Sequence, residues 1–329
     1  MVKLKDKEGS NKWKSRLASS GLPLEFEAAK ILAKKRFAVS PDYAYARDDA
    51  GVVKDFSVDI EASGYTPFRK SNSITSSVTL LVECKYRVPT TKWLFLPDPN
   101  YGDYSYVILG RTLHAVHEFS PFILEPNATT SFDEDMIFCY KGVEINENGD
   151  VFDKEIKHGI SQLQYALPRL FTQSVMFTGG VGEDSWPFFY CPILLTNAEL
   201  IVAREEITLK DVERASKITD LGELVPFLVI EQDYGPDFER HCLKECTPLG
   251  KLEESERFKL LSELIDKSKR SSEKDEWLRI SKGLANTERY YLRRYFTQFV
   301  ICNFKAFPKL ATHVKRIAQE AISQREKIR

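Results

Sequence analysis

Two stretches of alternating residues carry charges where a strand normally buries carbon. In Asp55–Ala62, Phe56, Val58 and Ile60 alternate with Ser57, Asp59 and Glu61; in Val78–Tyr86 the same period of two sets Glu83 and Lys85 on one face. A carboxylate and an ammonium in a strand-forming run are costly to bury, so their presence asks for a reason. A cross-strand ion pair on a solvated face would supply one. Hydrolysis of a phosphodiester would supply another, because two carboxylates about one strand spacing apart offer hard oxygen ligands to Mg²⁺, which needs only one or two of them beside water and substrate phosphate. A lysine two residues from such a ligand can hold the attacking water and stabilise charge growing on the phosphorus oxygens.

Asp59 followed by Glu83-Cys84-Lys85 resembles the PD-(D/E)xK, or restriction-endonuclease-like, nuclease superfamily, with Val58 in place of the proline before the aspartate. A helix pattern precedes the pair, both acids lie on strand patterns, and Leu80-Leu81-Val82 stands just before the glutamate. The resemblance implies an α/β fold, a central mixed β-sheet flanked by helices. It implies Mg²⁺, with Mn²⁺ as a substitute, held by Asp59, Glu83 and the backbone carbonyl of Cys84. Lys85 would position the water and help to deprotonate it.

The elements that must position these residues begin with a helix over Gly21–Lys35, with Pro23 suited to its first turn and Leu24, Ala28, Ile31 and Leu32 as its buried stripe. Glu25 falls at the edge of that stripe and Glu27 on the solvated side, beside Lys30. An acid on the buried edge of the first helix resembles the extra carboxylate of the branch containing archaeal Holliday-junction resolvases and modification-dependent restriction enzymes. That likeness makes Glu25 a ligand of a second metal or of a metal-bound water; a plain alternative is an acid complementing the helix dipole. A second helix over Glu155–Phe171, with Ile160, Leu163, Leu167 and Leu170 as its stripe, contains Gln162-Leu163-Gln164-Tyr165. This resembles the Gln-bearing helix of exonuclease-like members, although Tyr follows Gln162 by three residues where the family has four. Gln162 is the candidate to orient the water, and Gln164, nearer the stripe, competes with it.

Around this core the chain, at 329 residues, is longer than a minimal nuclease. Residues 1–20 read as a flexible or docking arm, 21–248 as the nuclease-like domain with an aromatic- and proline-rich insertion at about 88–140, and 249–329 as a basic helical region. Within that region Thr287–Phe304 has helical periodicity, and the sheet is expected to be complete by Gly250. Val175–Thr178 and Pro187–Thr196 read as strands around a glycine-rich loop, which lacks the Gly-Lys-Ser/Thr of a phosphate cradle. Of 47 Lys and Arg and 48 Asp and Glu in all, 19 and 11 fall from Gly250 onward, leaving 28 and 37 before it. That surplus makes Arg289, Arg293, Arg294, Lys315 and Arg316 candidate phosphate contacts, together with Arg69 and Lys70 in the loop between the acidic strands.

Six scattered cysteines do not form a disulfide framework, no apolar run approaches the ~20 residues of a membrane span, and Met1–Lys7 has no signal core. A cytoplasmic protein is expected. His114 with His117, and His241 with Cys242 and Cys246, lack the further ligands that zinc normally takes. The partner expected from the resemblance is nucleic acid, DNA rather than RNA, in restriction, repair or anti-phage defence, with a homo-oligomer or a defence-system protein as further partners and no membrane. The alternative function is an inactive nucleic-acid-binding or scaffolding protein that keeps the fold.

Overall fold

The computed structural model describes residues 12–49, 51–67, 74–99, 114 and 115, 136–178, 188–256, 258, 259, 262, 263 and 271–325. Arg69, Lys70, His117, the glycine-rich loop and most of the predicted insertion lie outside these residues. The described strands are β1 (Ala38–Asp49), β2 (Val52–Pro67), β3 (Ile74–Lys85), β4 (Lys92–Pro97), β5 (His114–Ala115), β6 (Phe138–Ile145), β7 (Val151–Phe152), β8 (Phe188–Thr196), β9 (Glu199–Ala203), β10 (Gly222–Val225), β11 (Phe227–Glu231) and β12 (Gln298–Asn303). They join one mixed sheet in the order β1-β2-β3-β8-β12-β11-β6-β4-β9-β10, with β5 beside β8 and β7 beside β6. The first three strands form an antiparallel meander, and β3, β8 and β12 run parallel through the middle. All nine residues of β8 are buried, as befits a strand covered on both faces.

The described helices are α1 (Lys12–Ser19), α2 (Leu22–Lys34), α3 (Lys154–Thr178), α4 (Leu209–Arg214), α5 (Pro236–Cys246), α6 (Ser271–Ala285), α7 (Arg289–Phe296) and α8 (Phe307–Arg325). Leu24, Ala28 and Leu32 of α2 and Leu310, Val314 and Ile317 of α8 form a core on one face of the sheet with Leu80, Val82 and Cys84. Ile160, Leu163, Leu167 and Phe171 of α3 form the core of the other face with Leu81 and Leu194. The α/β architecture with a mixed sheet flanked by helices is therefore present. Among the described residues no helix is long and apolar enough to cross a membrane. All six cysteines are buried and free.

Two elements differ from expectation. The helix predicted over Thr287–Phe304 divides into α7 and the buried strand β12, which lies between β8 and β11. A run buried on both faces shows no alternation, so Phe299-Val300-Ile301 reads equally as helix or strand until its neighbours are known. The sheet is thus not complete at Gly250: the C-terminal stretch supplies one of its central strands. Val175–Thr178, read as a strand, is the last turn of α3, whose Val175 is buried in the α3-side core. There tertiary packing overrides the β-preference of a Val-Met-Phe-Thr run.

Candidate active site at a fork between two strands

The β2–β3 ladder holds Ile60 opposite Val82 and ends there; one step further in the same register Asp59 would face Glu83. Instead of continuing the ladder, the Asp59 carboxylate accepts the Cys84 N–H at 2.7 Å. The strands fork at this point, and a side chain takes the place of a backbone acceptor. Alternation also slips here. Val58 packs in the α3-side core and Ile60 in the opposite core, although both were expected on one face. On the other edge of β2, Asp42 lies between the pairs Pro41–Ile60 and Tyr43–Val58, with φ of 54°. The kink re-aims Asp59, much as irregular pairing beside active sites commonly does.

Glu83 and Lys85 share the face under α3. Glu83 is 1% exposed. Its Oε1 accepts from Lys85 Nζ at 2.6 Å, and its Oε2 is buried without a hydrogen-bond partner. Lys85 Nζ also donates to Gln162 Oε1 at 2.9 Å, while Gln162 Nε2 donates to the Ser57 carbonyl at 3.3 Å. The ammonium is thus held between β3 and α3. Close approach of that helix depends on Gly159, one turn before Gln162, where a Cβ would fall 2.5 Å from Leu194 Cδ1 and 3.3 Å from Lys85 Cε. Thr196 Oγ1 fixes the strand end by donating to the Lys85 carbonyl at 2.8 Å.

The electrostatics follow from this burial. Loss of water pushes the Glu83 carboxyl up to about 7; the Asp59 charge adds to the rise, and Lys85 and the Asp59 backbone N–H oppose it. Burial also raises Asp59, against the Cys84 N–H and Lys85. Glu25 is raised first by burial and then by the charges of Asp59 and Asp42, which puts it in the same acidic neighbourhood. Asp59, Glu83, Lys85 and Gln162 therefore come together, and Glu25 lies within reach of the Asp59 charge. Gln164 does not join them: buried, it donates to the carbonyls of Phe296 at 3.1 Å and Gln232 at 3.3 Å. Glu27 is exposed as expected, and the Lys30 ammonium, one turn on, lies over the Phe26 ring.

Asp42 and Gly159 were missed. Asp42 directly follows a proline in a strand whose exposed positions look ordinary; only its place beside Asp59 marks it. Among the described residues no group of three or more His, Cys, Asp and Glu stands ready to hold a metal, so the Glu25–Asp59–Glu83 set is not preassembled. Mg²⁺ asks for only one or two carboxylates beside water and substrate phosphate.

The basic candidates are held elsewhere. Arg289 pairs with Asp233 at 3.0 Å and Arg293 with Glu231 at 2.7 Å. Glu231 stands opposite Gln298, at the start of β12, whereas Lys85 is level with the end of β8 and hence of β12. Arg294 lies over Tyr295, and Lys315 Nζ donates to the Lys35 carbonyl at 2.7 Å over the Phe37 ring. Arg316 is the next residue of α8. His114 lies on β5, opposite Tyr190. His241 is bonded through Nε2 to the Tyr165 carbonyl at 2.8 Å, with Cys242 and Cys246 in the core beside it.

No family model, curated protein or solved structure matches this chain.

Proposed function

We propose that the chain is a metal-dependent nuclease of PD-(D/E)xK type that hydrolyses phosphodiester bonds of nucleic acid, with DNA as the expected substrate. The observation that carries this reading is the Lys85 ammonium, held by Glu83 and Gln162 beside an Asp59 carboxylate that has displaced a backbone acceptor. A purely structural ion pair would not need a second buried carboxyl next to it. The fit to a divalent cation rests on the Glu83 Oε2 atom, buried without a partner, and on a neighbouring acid whose charge opposes Glu83 ionisation. Asp59 and Glu83 would hold Mg²⁺ or Mn²⁺ with the Cys84 carbonyl, and Glu25 would hold a second ion or its water. When bound, the metal polarises the scissile phosphate and lowers the pKa of a coordinated water.

The chain's own residues do the rest. Lys85 has three N–H donors, two of which go to Glu83 and Gln162; the third is available to align a water on phosphorus. As the water oxygen bonds to phosphorus and gives up its proton to solvent, the bond to the sugar oxygen breaks and that oxygen takes up a proton from solvent, while the fixed ammonium offsets the charge gathering on the phosphoryl oxygens. Gln162 keeps the ammonium from swinging away.

The test is cleavage of single- and double-stranded DNA and RNA in Mg²⁺, Mn²⁺ or EDTA by wild type, Asp59→Ala and Lys85→Ala in parallel. Metal-dependent cleavage by the wild type alone is expected. Equal cleavage by wild type and Asp59→Ala would remove the enzyme reading, and salt-dependent binding without any cleavage would favour the scaffolding alternative.

A further inference from the structure

A cavity of about 450 Å³ opens beyond the proposed active site, between the β1–β2 hairpin, α3 and α5. Its size is that of an ordinary small-ligand site. Arg47, Tyr165, Arg240, His241 and Lys244 line it together with three acids, Asp48, Asp49 and Asp237. Tyr165 lies one turn after Gln162 on α3, and the Arg47 Cα lies five residues, roughly 16 Å, along β1 from that of Asp42.

Arg47 distinguishes this cavity from a surface dimple. Its guanidinium lies 4.4 Å from the Tyr165 ring centre and 5.0 Å from that of Phe56. Both rings hold the guanidinium by its π-electron contacts, which use none of its five N–H donors. The side chain is half-buried, yet it makes no hydrogen bond or ion pair among the described residues. A partly dehydrated cation with unused donors costs free energy, and an anion would recover it.

The acids nearby are already engaged. Asp49 is paired with Lys54 at 2.6 Å, Asp237 with Arg240, and Asp48 accepts the Gly51 N–H at 2.7 Å. Lys244, like Arg47, has no ion pair among the described residues. His241 adds no charge, since burial depresses it to about 4 and its Nε2 is committed to Tyr165.

We propose that this cavity is a second phosphate-binding site, in which Arg47 and Lys244 grip a phosphate of the strand being cut, a few nucleotides from the scissile bond. Its place in the strand rests on the nuclease reading; its taste for phosphate does not. A terminal phosphate presents three non-bridging oxygens and an internal one two, and both suit a guanidinium and an ammonium, so the assay must separate them.

Uncleaved binding is measured by fluorescence anisotropy with Asp59→Ala protein, using oligonucleotides ended by 5′-phosphate, 3′-phosphate or hydroxyl, with and without Arg47→Gln. Arg47→Gln is expected to weaken binding about tenfold or more and to flatten the dependence of log Kd on log salt by about one. A loss confined to phosphate-ended strands assigns a terminal phosphate; an equal loss with all three assigns an internal one. Lys244→Gln, an exposed site that leaves packing intact, serves as the second variant and should weaken binding in the same sense. Unchanged affinity and slope in both folded variants would overturn the site. Calorimetry with adenosine monophosphate keeps the two readings apart: if no strand binds, the nuclease reading fails, while monophosphate binding that Arg47→Gln abolishes still supports the pocket and its absence overturns it.

Discussion

Glu83 should make the metal-free fold weaken as pH rises through neutrality, and Glu83→Gln should remove that weakness. Burial at 1% exposure beside Asp59 lifts its carboxyl from an ordinary 4.5 to about 7, so the folded chain holds this proton more tightly than the unfolded chain does. The stabilisation is complete below pH 4.5 and is lost as pH climbs through about 7. The gap between 4.5 and about 7 corresponds to roughly 3 kcal/mol for ionising the group in place. Gln cannot titrate, and whatever its substitution costs relative to the protonated carboxyl does not change over this range. The unfolding free energy of Glu83→Gln, measured by urea titration followed by far-ultraviolet circular dichroism, should therefore gain roughly 3 kcal/mol on wild type between pH 4.5 and pH 8. Above pH 7, Mg²⁺ at a hundredfold excess over its Kd should restore about 2.7 kcal/mol to wild type and nothing to the variant, and EDTA should remove the gain. Parallel curves for the two proteins would refute the reasoning, because they would mean that Glu83 is ionised in the fold without a metal.

Other perturbations separate chemistry from scaffolding. Lys85→Met should lower cleavage by at least 10²-fold in kcat while strand binding, read by anisotropy, persists. Gln162→Leu should cut kcat about tenfold with little change in melting temperature, whereas Gln164→Leu, which strands two buried carbonyls, should cost about 2 kcal/mol of stability and leave kcat near wild type. Gly159→Ala drives a methyl into Leu194 and against Lys85; an unfolding free energy lower by about 1–3 kcal/mol and a reduced kcat are expected together. Deleting residues 297–329 removes β12 from the middle of the sheet, and far-ultraviolet circular dichroism should show loss of the whole fold rather than of a separate C-terminal unit.

Much of the candidate site was legible because strand period and charge are local properties. Glu83 and Lys85 two apart, and a carboxylate on the preceding strand, can be read without a fold, since alternation alone puts 83 and 85 on one face. Helix periodicity likewise put Glu25 on the buried edge and Glu27 in solvent. It could not choose between Gln162 and Gln164, because both flank the stripe and the choice depends on which strand end α3 covers.

The sequence by itself determined the alternating acidic strands, the amphipathic helices that cover them and the buried, unpaired cysteines, all of which follow from the spacing of apolar residues along a few turns or pleats. Only the tertiary structure decided that β2 inverts its faces at Asp59, that Asp42 stands opposite Asp59, that β12 closes the middle of the sheet and that Arg47 lies against two rings. Each of those depends on which residues of distant strands and helices are neighbours, and a kink, a doubly buried strand or an unpaired cation has no period of its own to betray it.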